Sequence, residues 1–228
     1  ALLASGRRRA LLARAGLHRA EGRSERAAVD RQAAYEIVVP LRSPDTPPEC
    51  VNLAEFYNAN LDTDWQGTCF PRHNLSALPR GMVEMGGVVF DIRGAIQFGY
   101  SAVTTRTLRY PEVVPDIPVG RRCGRVHFLQ SCALTGESKP GVSSHLIHLQ
   151  NGDSFRFVSD YGVNLAGWDC VGTFESGGVS AAWEGTSPAG LPVQLYITTW
   201  TNPVPDVVVS SIDLESTYGV LVVAITAQ

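Results

Sequence analysis

The residues able to do chemistry are few, and their spacing decides whether any can act together. Five histidines, 22 carboxylates and five cysteines are spread over 228 residues. Gly141-Val142-Ser143-Ser144-His145 sets a hydroxyl beside an imidazole. The G-x-S-x-G frame of a nucleophile elbow is missing, and neighbours on an extended chain point to opposite faces. Ser144 and His145 are therefore not expected to form a nucleophile–base pair. His145 and His148, three apart, fall on opposite strand faces by the same rule and do not suit one metal ion. His127, between Val126 and Phe128, reads as a hydrogen-bonded core histidine, and His73 as a loop residue. Glycoside hydrolysis needs two carboxylates about 5–10 Å apart across a cleft. Glu84, Asp91, Asp153, Asp160, Asp169, Glu175 and Glu184 are available, but no pattern pairs them. Asp91 instead shares a strand face with Arg93, where an ion pair is expected. Gly86-Gly87 and Gly177-Gly178 read as turns or bulges, since no following helix or Lys makes them phosphate cradles. The expectation is a non-catalytic chain with no cofactor and no metal site.

Binding chemistry has better material. Sugar-binding sites stack aromatic rings on the ligand beside Asn, Asp or Arg groups. Trp65, Phe70, Tyr161 and Trp168 fall in expected loops or at strand ends. Trp65 with Asn74, and Trp168 with Asp169, are the pairs that stand out. The candidate ligand-binding set is thus Trp65, Asn74, Tyr161, Trp168 and Asp169, with plain packing as the competing reading for each aromatic. Trp183 and Trp200 are placed in strands and read as core. No D-x-D-x-D run argues for lectin-like calcium. Asn74-Leu75-Ser76 is a formal glycosylation sequon.

The elements that must position these groups change character along the chain. Residues 1–38 read as a helical hairpin, rich in Ala, Leu and Arg, broken at Gly22-Arg23-Ser24. Its apolar face is too thin to bury itself and must pack on something else. Residues 39–50, with Pro40, Pro44, Pro47 and Pro48, read as a linker. From Val51 onward, short β-branched runs alternate with Gly, Pro, Asn and Asp. Strands are expected near 88–92, 95–98, 125–129, 145–149, 154–158, 179–183, 193–199, 207–212 and 220–226. Val193, Leu195 and Ile197 alternate with Gln194, Tyr196 and Thr198, so one strand face is buried. Asn151-Gly152-Asp153 marks a hairpin. No helix-length periodic segment lies between the strands, which excludes a parallel α/β sheet.

Bulk numbers set further bounds. The net charge is −3, with residues 1–36 carrying eight Arg against Glu21, Glu25, Asp30 and Glu36. A basic leader with mixed-in acids and no interleaved aromatics reads as a solvated helical face, not a nucleic-acid site. No run reaches the roughly 18 apolar residues needed to span a bilayer. The five cysteines show no C-x-x-C; a Cys50–Cys69 bridge is one reading, and buried free thiols the preferred one.

Several segments resemble a known family. They are Val51-Asn52-Leu53 through Tyr57-Asn58-Ala59, Asn74-Leu75-Ser76-Ala77-Leu78-Pro79-Arg80-Gly81, and Phe90-Asp91-Ile92-Arg93-Gly94-Ala95-Ile96-Gln97. Ile117-Pro118-Val119-Gly120-Arg121-Arg122-Cys123, Val126-His127-Phe128-Leu129 and Thr199-Trp200-Thr201-Asn202-Pro203-Val204-Pro205-Asp206 continue the pattern. Together they are similar to an uncharacterised β-sandwich domain of planctomycetes and verrucomicrobia, itself like galactose-binding-like jelly rolls. The spacing Ala15, His18, Gly22, Glu25, Ala27, Ala34 resembles half of a tetratricopeptide-type repeat. The resemblance implies an antiparallel jelly-roll β-sandwich over 51–228, carried after a short α-helical hairpin. A helical appendage that cannot fold alone, on a sandwich lacking a catalytic constellation, leads to the expectation of a structural or protein-interaction module in a larger assembly or surface array, with other protein subunits or a second copy as partner. The alternatives are a carbohydrate-binding module and an accessory domain of a glycoside hydrolase or esterase. Kinship to surface modules leans the location outside the cytoplasm.

Overall fold

The structure, a computed structural model, describes residues 2–3, 38–62, 64, 72–98, 100–101, 108–133, 138–169 and 181–228. Every regular element among these is a β-strand. In chain order they are β1 (Leu2–Leu3), β2 (Val38–Val39), β3 (Gly81–Met85), β4 (Val88–Ile92), β5 (Ile96–Gln97), β6 (Tyr100–Ser101) and β7 (Leu108–Arg109). They continue with β8 (Val113–Arg121), β9 (Arg125–Cys132), β10 (Lys139–Leu149), β11 (Ser154–Tyr161), β12 (Ala181–Thr186), β13 (Pro192–Thr201), β14 (Val209–Glu215) and β15 (Val220–Ala227). The helical hairpin expected over 1–38 falls almost wholly on residues 4–37, which lie outside the described residues.

Two antiparallel sheets dominate. One has the order β11-β10-β14-β8 and the other β12-β13-β9-β15-β5. β10 and β11 join at Asn151-Gly152, where Gly152 has φ 92°, a conformation that suits glycine in a tight hairpin. The two sheets share one apolar cluster. Ile117, Val142, Ile147, Ile212 and Leu214 from the four-stranded sheet meet Val126, Phe128, Trp200, Val222 and Ile225 from the five-stranded one. This arrangement is mainly β and compatible with a β-sandwich.

A third layer covers the far side of the five-stranded sheet. The β3–β4 hairpin brings Met85, Val88, Phe90 and Ile92 onto Leu129, Val193, Leu195, Leu221 and Val223, and loop residues Leu61, Leu75, Leu78 and Trp168 complete this second cluster. The inner strand β15, between β9 and β5, is consequently buried along its whole length. Its alternation breaks once: Val220 and Val222 face the first cluster, Val223 and Ala224 both face the second, and Ile225 returns to the first. The ladder with β9 shifts register between Val222 and Ala224. A bulge there inserts the extra residue and resets which face each side chain takes.

Residues 39–50 are fastened to the sheets. Val39 and Cys50 are buried, and the Arg42 guanidinium donates to the carbonyl oxygen of Cys50 at 2.6 Å. Arg93 donates through Nε to Asp91 Oδ2 at 3.0 Å, the pair expected from their spacing, with both side chains almost wholly buried. Its Nη2 also donates to Asn52 Oδ1 at 2.6 Å. Cys50, Cys123 and Cys132 are buried, and the Cys50 and Cys123 thiols are free, so Cys50 is not bridged to Cys69; Cys69 and Cys170 lie outside the described residues.

Candidate functional site

Strand alternation separates the groups that sequence proximity brings together. On β10, Ser144 is half-buried and donates to Glu215 Oε2 at 2.8 Å, while His145 on the opposite face is 1% exposed. Arg156 on β11 donates to both Ser144 Oγ and Glu215 Oε2, at 2.6 Å each, and the bonds that Glu215 accepts from Arg156 and from Ser144 hold its carboxyl below its ordinary pKa. His148 meets Asp213 Oδ2 at 2.8 Å, and Asp213 Oδ1 accepts from the Asp116 amide at 2.8 Å. That second bond steadies Asp116 at φ 57°, a left-handed conformation most residues avoid.

Between the sheets, His145 Nε2 lies 3.3 Å from Gln130 Oε1. Gln130 donates to Ser159 Oγ at 3.1 Å and Thr198 Oγ1 at 2.6 Å. The imidazole stacks on Phe128 with centroids 4.3 Å apart. Burial drives its pKa down to about 4, so it is neutral at physiological pH. His127, on the other face of β9, contacts Thr199 Oγ1 across the β9–β13 pair at 2.8 Å, and burial lowers its pKa as well. Among the described residues these groups form local contacts within and between the sheets, and none of them lines either of the clefts described below. No group of three or more His, Cys, Asp or Glu placed to hold a metal occurs among the described residues.

The groups that do converge belong to loops on the β3–β4 side. Asn74, 6% exposed, donates from Nδ2 to the Asp62 carbonyl at 3.2 Å and to Asp64 Oδ1 at 2.8 Å. Its Oδ1 accepts from the Ser76 amide at 3.1 Å, an Asx-turn. Asp64 Oδ2 accepts from the Arg72 amide at 2.8 Å, and Arg72 holds φ 64°. Leu61, Leu75 and Leu78 pin both loop segments into the second apolar cluster. Asn74 is therefore a positioning residue, and the buried amide of this sequon is occupied in holding the loop.

The remaining sequence candidates take different places. Trp168 is 1% exposed and stacks on His73 with centroids 4.2 Å apart and an interplanar angle of 22°. A sugar ring needs that exposed face, and here an imidazole fills it. Asp169 beside it is half-buried, with Oδ1 buried and lacking a hydrogen-bond partner among the described residues. Tyr161, 1% exposed, ends β11 and belongs to the core between the sheets. Trp65 lies outside the described residues.

What the braced loop presents is an open cleft of about 470 Å³, lined by Val38, Pro40, Leu41, Asn60, Leu61, Asp62, Arg80 and Arg93. Val38 and Leu41 are 48% and 65% exposed, an apolar wall in water. Arg80 and Asp62 face each other at 3.6 Å across the polar wall, both well exposed. Asn60 Oδ1 accepts from the Val38 amide at 3.2 Å and ties the two walls together. Residue-by-residue reading missed this cleft, because its lining comes from four separate stretches of chain. The Arg80-Gly81 and Arg93 motifs were the available signal. Neither protein-family models nor curated proteins give a match to this chain.

Proposed function

We propose that the chain is a non-catalytic protein-interaction module that docks a partner protein in the cleft between residues 38–41 and Arg80. The observation that carries this reading is the cleft's lining: two exposed aliphatic side chains, Val38 and Leu41, facing a charged rim of Asp62 and Arg80. An apolar patch edged by charges is the usual anatomy of a protein interface. The antiparallel sheets sharing a core support the resemblance to galactose-binding-like jelly rolls, and with it the planctomycete and verrucomicrobial domain type. The local pairing of His, Ser and carboxylate groups supports a role outside catalysis.

A carbohydrate ligand is the second reading, favoured by Asn60, Asp62 and Arg80, whose donors and acceptors suit sugar hydroxyls. One experiment separates the two. The full chain and its Leu41→Asp variant are compared by native affinity purification, sedimentation velocity and glycan array. The interaction reading expects a stoichiometric protein partner or self-association that Leu41→Asp abolishes without lowering the melting temperature. A monodisperse wild-type monomer with no such partner sinks it, and array binding lost in Arg80→Ala transfers the cleft to sugars.

A further inference from the structure

A second cleft lies beside the β8–β9 connection. It measures about 510 Å³ and is lined by Pro48, Val119, Gly120, Arg121, Arg122 and Val208. Residues 38–228 carry a net charge of −7 once the +4 of residues 1–36 is set aside, since residue 37 is uncharged. Against that background the β8–β9 connection concentrates Arg121, Arg122 and Arg125 within five positions. Positive charge gathered in one concavity of an acidic body focuses the local field on anions.

The backbone beside the two cleft arginines is braced. Asn202, 4% exposed, donates from Nδ2 to the Cys123 carbonyl at 2.9 Å, and its own amide donates to the Gly124 carbonyl at 2.9 Å. The facing turn is closed by Val204 N to Asn202 Oδ1 at 3.0 Å and Val207 N to Val204 O at 3.0 Å. Arg122 Nε then donates to the Asp206 carbonyl at 2.6 Å. That bond tethers the exposed side chain at Nε and leaves its two terminal nitrogens without a hydrogen-bond partner among the described residues. Arg121 Nη2 reaches Glu49 Oε1 at 3.3 Å, both side chains about a third exposed, while its Nε is buried without a partner among the described residues. Gly120 sits at φ 67° with open space where a side chain would project, so the floor of the cleft is clear.

From this geometry we infer that the Arg121–Arg122 cleft binds a tetrahedral oxyanion, a phosphate or sulfate group. A guanidinium fork tethered at Nε is a bidentate donor to such oxygens. A second guanidinium, held only by a long contact to Glu49, is free to turn from that carboxylate to a dianion. A carboxylate ligand satisfies one fork, whereas a tetrahedral dianion uses both. The site is separate from the docking cleft, and its test does not depend on that reading.

The test is a titration of the full chain, in a buffer free of phosphate, followed by calorimetry and by amide shifts of Gly120 to Cys123. Inorganic phosphate, inorganic sulfate, glucose 6-phosphate and acetate are compared. Saturable binding of the tetrahedral anions is expected, with Arg122→Gln weakening it about tenfold or more, a loss of about 1.4 kcal/mol. Arg122→Lys should weaken it severalfold, because a point charge lacks the fork, and Glu49→Gln should tighten it by freeing Arg121. Tighter binding of glucose 6-phosphate than of phosphate would identify an esterified group as the source; equal binding would identify the free anion. The inference is overturned by non-saturable binding, by acetate binding as well as phosphate, or by Arg122→Lys matching wild type at an unchanged melting temperature.

Discussion

Replacing His145 with glutamine asks how much an uncharged interior between the sheets is worth. The folded imidazole titrates near 4, against an ordinary value of 6.5, because burial disfavours its charged form. The unfolded chain takes up this proton as pH falls through about 6.5, but the folded chain resists it until about 4. Stability attached to this group is therefore intact at neutral pH, drains away across that window, and levels off below it. A gap of roughly 2.5 pKa units corresponds to about 3 kcal/mol. Glutamine retains an amide for Gln130 but forfeits the stacking of the ring on Phe128 at 4.3 Å, a loss of about 1 kcal/mol. The variant should accordingly start about 1 kcal/mol less stable at neutral pH and finish about 2 kcal/mol more stable than wild type near pH 4. His127 loses stability in the same direction. Asp213 and Glu215, whose carboxyls are held low, lose theirs at more acid pH. All three are common to both proteins, so the difference curve isolates His145. Urea unfolding followed by tryptophan fluorescence at stepped pH reads it. Two stability curves that run parallel from neutral pH to pH 4 would refute the account.

Two further substitutions probe the frame around the docking cleft. Arg93→Met removes the 3.0 Å partner of Asp91, whose side chain is 3% exposed, leaving Arg42 at 3.8 Å as its one ion-pair partner among the described residues; a loss of about 3–5 kcal/mol is expected in urea unfolding. Adding Asp91→Leu should recover most of that loss, and a failure to recover would mean the charge pair is not the cause. Trp168→Ala empties a buried site stacked on His73 and should cost about 3–5 kcal/mol. A ligand-stacking ring would instead leave stability unchanged and abolish binding alone.

Much of the strand content was legible in the sequence, because alternation and turn chemistry act over a few residues. β4 matches the run at 88–92, and β13 and β15 match theirs to within two residues at each end. β8 escaped notice: Pro115 and Pro118 argue against a strand, since neither donates to a ladder. It survives at the edge of the four-stranded sheet, where one side needs no ladder, and Asp213 braces the kink at Asp116. β3 escaped because Gly81-Met82-Val83-Glu84-Met85 is short and exposed on alternate residues. The candidate site was legible only in part. Asn74 was visible as a polar loop residue, but its bonds to Asp62 and Asp64, and the seating of Trp168 on His73, join separate stretches.

The amino-acid order alone determined where the chain extends, where it turns, and which side chains avoid water. Those properties follow from dihedral preferences and hydrophobicity within a few residues of each other. Tertiary structure decided the rest. The run Val220-Leu221-Val222-Val223-Ala224-Ile225 specifies a buried strand, but only the added β3–β4 layer and the bulge against β9 assign each side chain to one of two cores. Both clefts likewise exist only once separate stretches are brought together. Facing walls are a matter of register and packing between distant residues, which no local pattern encodes.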